Sequence, residues 1–307
     1  MTASKAKVLI LGHPQDAHVA HLRSALRHQG ALVRCLETHQ FPTQLRFSWH
    51  AKTQKGLIAW EPDDVWALEE IRRVFWRQIS GVSIPPLADK QQQWIAYNDS
   101  MSLMRSLMQS HSPQWVNTWE AYQFHKEKPL QLSTVKQLGV QIPPTLVSND
   151  PQQVIAFVKS LEQAIFKPVY GGAHAQWVTP EHLDPQRLQL ALKVSPATFQ
   201  AYIPGTNIRT YVIGESVFSA EIRSPSVDFR DDQTAELLPV TLPGAVQHQS
   251  LAITKALKLK WTAIDWRLTP TQDYFFLEAN PSPMFIYFEQ QTGYPITQTL
   301  VQLLLAD

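Results

Sequence analysis

Short apolar runs and one amphipathic stretch alternate along the first part of the chain. Residues 7–11 (KVLIL) predict a buried strand. Residues 18–29 carry apolar side chains at helical spacing and end before Gly30, a residue typical of the position after a helix. Residues 31–36 predict a second strand. This strand–helix–strand order predicts a parallel α/β sheet.

A long helix and further strands complete the N-terminal pattern. Residues 92–111 carry apolar side chains three and four positions apart, and this spacing predicts a helix that faces the core. The apolar stripe consists of Trp94, Tyr97, Met101, Met104 and Met108. The other predicted strands are 47–50 and 56–60, paired as a hairpin, and 74–77.

Shorter helices and hairpins follow in the second half of the chain. The predicted helices begin at Lys128, Pro151, Pro185 and Ala245, and a last one covers 296–305. The predicted strands are 164–167 and 177–178, joined by a turn with a glycine pair, an extended stretch at 199–203, and a hairpin of 207–213 with 216–223.

The stretch 261–288 reads as two apolar strands joined by a polar turn. Asp265 interrupts the first strand, and Glu278 and Asn280 interrupt the second. Glu278 and Asn280 point to the same face because strand side chains alternate, and Asp265 can face that spot from a paired strand. Carboxylate and amide oxygens suit Mg²⁺. These residues alone leave two alternatives, a magnesium site or a solvated hairpin face.

Composition sets the limits of these interpretations. Hydrophobic residues make up 44% of the chain and charged residues 17%, as in a globular protein, and the formal net charge is +1. This balance gives no reason to expect a nucleic-acid or membrane partner. Cys35 is the only cysteine, which excludes disulfides within the chain and cysteine-ligated metals. No signal-peptide core or membrane span is visible, so a cytoplasmic protein is expected.

Basic residues are the second chemical signal. Lys167 ends a predicted strand beside the glycine turn, and Lys128 begins a predicted helix. Taken singly, such residues are usually exposed, but beside an acidic cluster they indicate a nucleoside-triphosphate site. No Walker A motif or kinase glycine loop is present, so another scaffold must hold that site. Arginines that can stabilise charge in phosphoryl transfer are Arg209, Arg223, Arg230 and Arg267.

A set of ordered stretches from Lys128 onward resembles the ATP-grasp ligases. The resemblance is greatest to ribosomal-protein glutamate ligases and the microviridin-type (graspetide) peptide ligases, and the N-terminal HPQDAH and VFWR also resemble the latter. The stretches are KPLQLSTVKQLGVQIPPTL, IFKPVYGGA, FQAYIPGTNIR, TYVIGESVFSAEIRS, TAIDWR and YFFLEANPSPMF.

The resemblance implies an α/β protein of the α+β ATP-grasp type, with a parallel-sheet pre-ATP-grasp domain (1–117) and two α+β lobes (118–203 and 204–307) that clamp ATP. The implied phosphate-binding residues are Lys128 and Lys167, the implied adenine hinge is Gln200, Ala201, Tyr202 and Ile203, and the implied ribose contact is Asn207. The implied catalytic residues are Arg209, Arg223 and Arg230, and the implied metal ligands are Asp265, Glu278 and Asn280.

The implied reaction is an ATP-dependent ligation on a peptide or protein. A substrate carboxylate takes the γ-phosphate of ATP, and an amine or hydroxyl then displaces phosphate to give an amide or ester. One or two Mg²⁺ ions, or Mn²⁺ in their place, are implied. A precursor peptide is the implied partner, and family analogy favours a homodimer through the N-terminal half.

Two departures from the family pattern keep alternatives open. Ala201 stands where the family usually has Glu, and Asn207 stands at a position that is usually acidic. Weakened nucleotide binding would fit a catalytically silent nucleotide- or peptide-binding subunit. A small-molecule ligase resembling glutathione synthetase is a further alternative within the enzyme class.

Overall fold

The computed structural model describes residues 5–110, 114–171, 173–224 and 235–306. Contacts divide the chain into two compact units, and each contains more than one chain segment. Unit 1 comprises 1–120, 259–261 and 282–307, and unit 2 comprises 121–258 and 262–281. The boundaries expected at 117/118 and 203/204 stay a prediction.

The strands of unit 1 are β1 (Lys7–Leu11), β2 (Leu32–Leu36), β3 (Arg46–His50), β4 (Lys55–Glu61), β5 (Asp64–Ala67), β6 (Ile71–Trp76) and β7 (Gln114–Val116). They form the predicted parallel sheet, with strand order β2-β1-β6-β7. A three-stranded antiparallel sheet, β3-β4-β5, includes the predicted hairpin. The helices are α1 (Ala17–His28), α2 (Lys90–Met108), α8 (Ile286–Thr292) and α9 (Ile296–Leu305), and α3 (Trp119–Lys126) crosses into unit 2.

The apolar runs of unit 1 form the centre of its core. Val8 to Leu11 of β1 are fully buried, as expected for a strand covered on both faces of a parallel sheet. Asp16 begins α1 by accepting a hydrogen bond from the Val19 amide at 3.0 Å. Trp261 brings a distant segment into this core, and its ring contacts Phe75 and Phe285.

The predicted core-facing stripe of α2 is wrong over its first half. Met104 and Met108 are buried, but the Trp94 side chain is 67% exposed and Tyr97 is 40% exposed. Apolar spacing indicates which side chains share a helix face, whereas burial also requires a neighbouring element over that face. The exposed group formed by Trp94, Ile95 and Tyr97 is called the α2 aromatic patch below.

The remaining strands are β8 (Thr145–Ser148), β9 (Ala164–Pro168), β10 (Gln176–Trp177), β11 (Ala197–Ala201), β12 (Thr206–Ile213), β13 (Ser216–Arg223), β14 (Glu236–Val240), β15 (Trp261–Leu268) and β16 (Tyr274–Asn280). They form the two sheets of unit 2, with strand orders β10-β9-β11-β8 and β14-β13-β12-β15-β16. In the first, all neighbouring strands pair antiparallel. The helices are α4 (Lys128–Gln137), α5 (Pro151–Lys159), α6 (Pro185–Val194) and α7 (Gly244–Ala256).

Each sheet of unit 2 has an apolar side. Val154 of α5 and Leu188 of α6 cover Phe199 of β11. In the five-stranded sheet, Trp266 and Phe276 are fully buried and their rings meet edge to face. The strands that carry the polar residues are therefore held in place by a packed apolar core.

The hairpin predicted at 261–288 is confirmed as β15 and β16, which pair antiparallel. The register places Asp265 directly opposite Glu278 and Ala263 opposite Asn280. The short strands β5 and β14 and the helix α8 have too little periodicity to be predicted. Within the described part of the chain, no helix has the length and apolar character needed to cross a membrane.

Candidate active site

A cavity in unit 2 is lined by residues from both of its sheets. The first sheet contributes β9 and β11, and the second contributes β12, β15 and β16. The predicted site residues in the lining are Lys128, Lys167, Gln200, Ala201, Tyr202, Ile203, Asn207, Asp265 and Glu278. Residues separated by more than 100 positions in sequence thus meet at one place.

Asp265 is held by Arg209 from the neighbouring strand. The Arg209 Nε donates to Asp265 Oδ1 and its Nη2 donates to Oδ2, both at 2.8 Å. This bidentate geometry is the strongest that a guanidinium offers to a carboxylate. Burial works to lower the pKa of Arg209, but the facing Asp265 carboxylate outweighs it and raises that pKa above its ordinary value.

Glu278 forms an ion pair with a lysine side chain. The Lys128 ammonium, at the first residue of α4, donates to Glu278 Oε2. Each of the two opposed carboxylates is therefore paired with a basic side chain. This donor set suits a divalent cation, because paired carboxylates in a cavity offer hard oxygen ligands and leave coordination positions for phosphate oxygens. Mg²⁺ therefore fits the residues present.

The backbone beside Glu278 is fixed by a side-chain amide. Gln131 of α4, which is buried, accepts from the Ala279 amide at 2.9 Å and donates to the Ala279 carbonyl at 3.1 Å. His125 lies 3.1 Å from the same carbonyl through Nδ1. Burial, and then the Lys128 charge, lower the pKa of His125, so the neutral ring that donates from Nδ1 is favoured.

The second lysine and the glycine turn also line the cavity. Lys167 of β9 donates to Gln200 Oε1 at 3.3 Å, and Gln200 in turn donates to Thr145 Oγ1 at 2.7 Å. Gly171 lines the cavity with φ +108°, and a Cβ there would lie 3.6 Å from Lys128 Cε. The turn therefore lies close to the Lys128 side chain.

The hinge connects the two sheets. The Ala201 amide donates to the Pro144 carbonyl at 2.9 Å and the Tyr202 amide to the Gln163 carbonyl at 3.0 Å. The Ile203 carbonyl accepts from Arg267 Nε at 2.8 Å. The Tyr202 carbonyl and the Ile203 amide have no partner among the described residues. One acceptor and one donor of the hinge are thus available to a ligand.

Three other predicted residues that the structure describes, Arg209, Arg223 and Asn280, lie outside the cavity lining. Arg209 contacts Asp265 from β12, and Asn280 shares the face of Glu278 two residues along β16. Arg223 is at the end of β13 with its side chain 60% exposed, 3.4 Å from Glu221. Arg230 lies outside the described residues.

Gln131 and His125, for which the sequence predicts no role, contact the backbone beside Glu278, and Arg267, predicted only as one of four arginines, lines the cavity. Arg267 falls two residues after Asp265 on an otherwise apolar strand, and this alternation is the signal that places it on the same face. Gln131 and His125 carry no comparable signal. They lie in helical stretches, and only the packing of α3 and α4 brings them to Ala279.

Two sheets around such a cavity, preceded in the chain by a parallel α/β sheet, define the ATP-grasp class of ligases. Residues 125–304 match the description "RimK-like ATP-grasp domain", and residues 7–123 match "MvdD pre-ATP grasp domain". The chain therefore belongs to the RimK-like ATP-grasp family and carries an MvdD-type N-terminal domain. The resemblance and the fold class expected from the sequence are confirmed.

Solved structures of peptide-modifying enzymes are similar over nearly the whole chain. The macrocyclase MdnC bound with precursor peptide MdnA, from Microcystis aeruginosa MRC, is 27% identical, with a TM-score of 0.85 over 98% of this chain and 100% of that one. The ATP-grasp ligase PsnB complexed with minimal precursor is 25% identical, with a TM-score of 0.83 over 98% and 99%. No curated protein matches the chain.

A third structure supports the fold alone. It is a RiPP-associated ATP-grasp ligase from Chryseobacterium gregarium in complex with ADP and a leader and core peptide. It is 21% identical, with a TM-score of 0.84 over 97% of this chain and 96% of that one. The architecture is therefore retained where most of the sequence has changed.

Proposed function

We propose that the protein is an ATP- and Mg²⁺-dependent ligase that joins a carboxylate to an amine or hydroxyl of a peptide through an acyl phosphate. The observation that supports this most is the convergence of two lysines, a hinge and two opposed carboxylates on one cavity. The likeness to MdnC and PsnB, whose structures hold precursor peptides, supports a ribosomally made peptide as substrate.

The hinge supports recognition of adenine by the backbone. The Tyr202 carbonyl would accept from the adenine amino group, and the Ile203 amide would donate to the neighbouring ring nitrogen. Neither contact uses the side chain of Ala201, so recognition of adenine would not require the Glu that the family usually has at this position. The Asn207 side chain, at the same end of the cavity, would contact the ribose.

Of the two ion pairs, only the one between Lys128 and Glu278 would change partners during turnover. Asp265, Glu278 and Asn280 would hold one or two Mg²⁺ ions, which when bound neutralise and orient the phosphate oxygens. Lys128 would then release Glu278 and turn to the phosphates together with Lys167. Arg209 would remain beside Asp265 and offer a buried positive charge to the transferring phosphoryl group.

The chemistry needs no nucleophile from the protein. A substrate carboxylate oxygen bonds to the γ-phosphorus as the bond to the β-phosphate oxygen breaks and ADP leaves. The amine or hydroxyl then bonds to the acyl carbon, the bond between that carbon and the phosphate oxygen breaks, inorganic phosphate leaves, and the nucleophile's proton goes to solvent. The chain supplies position and charge neutralisation, with Arg223 and Arg230 proposed as further contacts to the acyl phosphate.

Incubation with ATP, Mg²⁺ and a peptide rich in Glu, Asp, Ser, Thr and Lys tests the proposal. We expect one ADP and one phosphate for each bond and a product lighter by one water, with Mn²⁺ able to replace Mg²⁺. Mass spectrometry and phosphate release report the result. Binding of ADP without turnover on any precursor peptide encoded beside the gene would instead support a silent binding subunit. We also propose a cytoplasmic location, since the reaction consumes ATP.

A homodimer through the N-terminal half is also proposed, and the α2 aromatic patch supports it. Trp94, Ile95 and Tyr97 expose apolar side chains over the first turns of one helix, and such patches often mark protein interfaces. Replacing Trp94 and Tyr97 by Ser is expected to convert the dimer to a monomer in sedimentation experiments. Leu190→Ser, on exposed α6, is the control. A wild-type monomer at micromolar concentration would contradict the proposal.

A further inference from the structure

Arg267 connects the hinge to the strand that carries Asp265. The residue is 9% exposed, and its guanidinium contacts residues on both sides of the Pro204-Gly205 turn. Nε donates to the Ile203 carbonyl at 2.8 Å, Nη2 donates to Tyr202 Oη at 3.0 Å, and Nη1 donates to Asn207 Oδ1 at 3.0 Å. The turn between these contacts approaches β15 closely, because a Cβ on Gly205 would lie 2.0 Å from the Leu268 carbonyl oxygen.

The acceptors of Arg267 are all uncharged. No described carboxylate lies within ion-pair distance of its guanidinium. The guanidinium instead makes a cation–π contact with the Tyr202 ring, whose centroid is 5.4 Å from Cζ. The Tyr202 ring in turn packs on Trp177, with ring centroids 4.5 Å apart. Arg267 thus fixes the shape of the hinge rather than neutralising an acidic group.

The contact with Asn207 decides which way its amide faces. A guanidinium has only donors, so the Asn207 atom that faces it must be the oxygen. The Asn207 amide nitrogen is therefore left for the cavity, which Asn207 lines. This arrangement presents a donor to a ribose hydroxyl, where an acidic residue would present an acceptor.

We infer that Arg267 is a positioning residue that makes Asn207 a donor-type reader of the nucleotide ribose and holds the hinge in the shape that admits adenine. The inference rests on the proposed function, because it requires ATP in this cavity. It also gives a reason why Asn at position 207 is compatible with nucleotide binding. Arg267 itself does not need to touch the nucleotide.

The test compares ATP with 2′-deoxy-ATP and 3′-deoxy-ATP in wild type, Arg267→Met, Asn207→Ala and the double variant. Wild type is expected to prefer ATP over the analogue lacking the contacted hydroxyl by about tenfold in kcat/KM. Arg267→Met should raise the KM for ATP about tenfold and abolish that preference, with a smaller change in kcat. The double variant should lose no more preference than Asn207→Ala alone.

Arg187→Met, on the exposed surface of α6, is the matched control and should behave as wild type. The analogue ratio is the deciding readout, since simple destabilisation lowers turnover of all three nucleotides equally. If Arg267→Met folds and keeps the wild-type ratio, the inference is overturned while the proposed function stands. If calorimetry shows that wild type does not bind ADP with Mg²⁺, the proposed function is overturned, and the inference with it.

Discussion

Replacing Asp265 by Asn and Glu278 by Gln in one chain is expected to reduce ligation by about a thousandfold or more. A metal that neutralises a transferring phosphoryl group contributes several kcal/mol, and each ~1.4 kcal/mol is tenfold in rate. These isosteric changes are preferred to Ala because the amide oxygens can still accept from Arg209 and Lys128. Phosphate release and a Mg²⁺ titration would measure the loss.

Asp273→Asn is the matched control for this variant. Asp273 lies in the exposed turn of the same hairpin and contacts only the turn, through Thr269 and Thr271. Its replacement should leave turnover and Mg²⁺ dependence unchanged. Near wild-type activity in the Asp265→Asn/Glu278→Gln chain would show that the metal is bound elsewhere.

Arg209→Lys is expected to lower kcat about a hundredfold while the affinity for ADP changes little. Lysine keeps the charge beside Asp265 but loses the paired hydrogen bonds at 2.8 Å, so the charge is no longer held at a fixed point. Removing one positioned group that stabilises transition-state charge typically costs a factor of about 100 to 1,000. Single-turnover kinetics and calorimetry separate the two quantities.

Arg209→Met tests how much the ion pair with Asp265 contributes to the stability of the fold. It leaves the buried Asp265 carboxylate without its partner, which costs about 3–5 kcal/mol in comparable ion pairs, and a large fall in unfolding temperature is expected. Arg187→Lys, on the exposed surface of α6, is the control for the arginine-to-lysine change in Arg209→Lys. A folded Arg209→Lys enzyme with wild-type kcat would exclude a catalytic role for this arginine.

Strand periodicity was sufficient to find the hairpin and the face shared by Glu278 and Asn280. It also placed Asp265 on the neighbouring strand, because polar residues on a buried apolar strand are conspicuous. The pairing of Asp265 with Glu278 required the register, which a bulge after Asp265 makes hard to count from sequence.

Contacts between elements distant in sequence could not be predicted in the same way. Gln131 looks like any polar residue of a helix, and its role arises only because α4 packs against β16. In the exposed half of α2, the sequence predicts a contact that the fold does not make. Trp94 and Tyr97 have core-like spacing, but periodicity contains no information about what covers a helix. Arg209 was predicted from the family resemblance, and its pairing with Asp265 became visible only in the fold.

The Gln131 amide also has a consequence for how a peptide can approach. β16 is the outermost strand of its sheet, and outermost strands normally present unpaired backbone groups that recruit a further strand. Here Gln131 occupies both groups of Ala279, and the Phe276 amide donates to the Gln141 carbonyl at 2.9 Å. A substrate peptide is therefore prevented from extending the sheet by β-augmentation beside Glu278, and the strand that carries Glu278 is shielded from edge-to-edge aggregation.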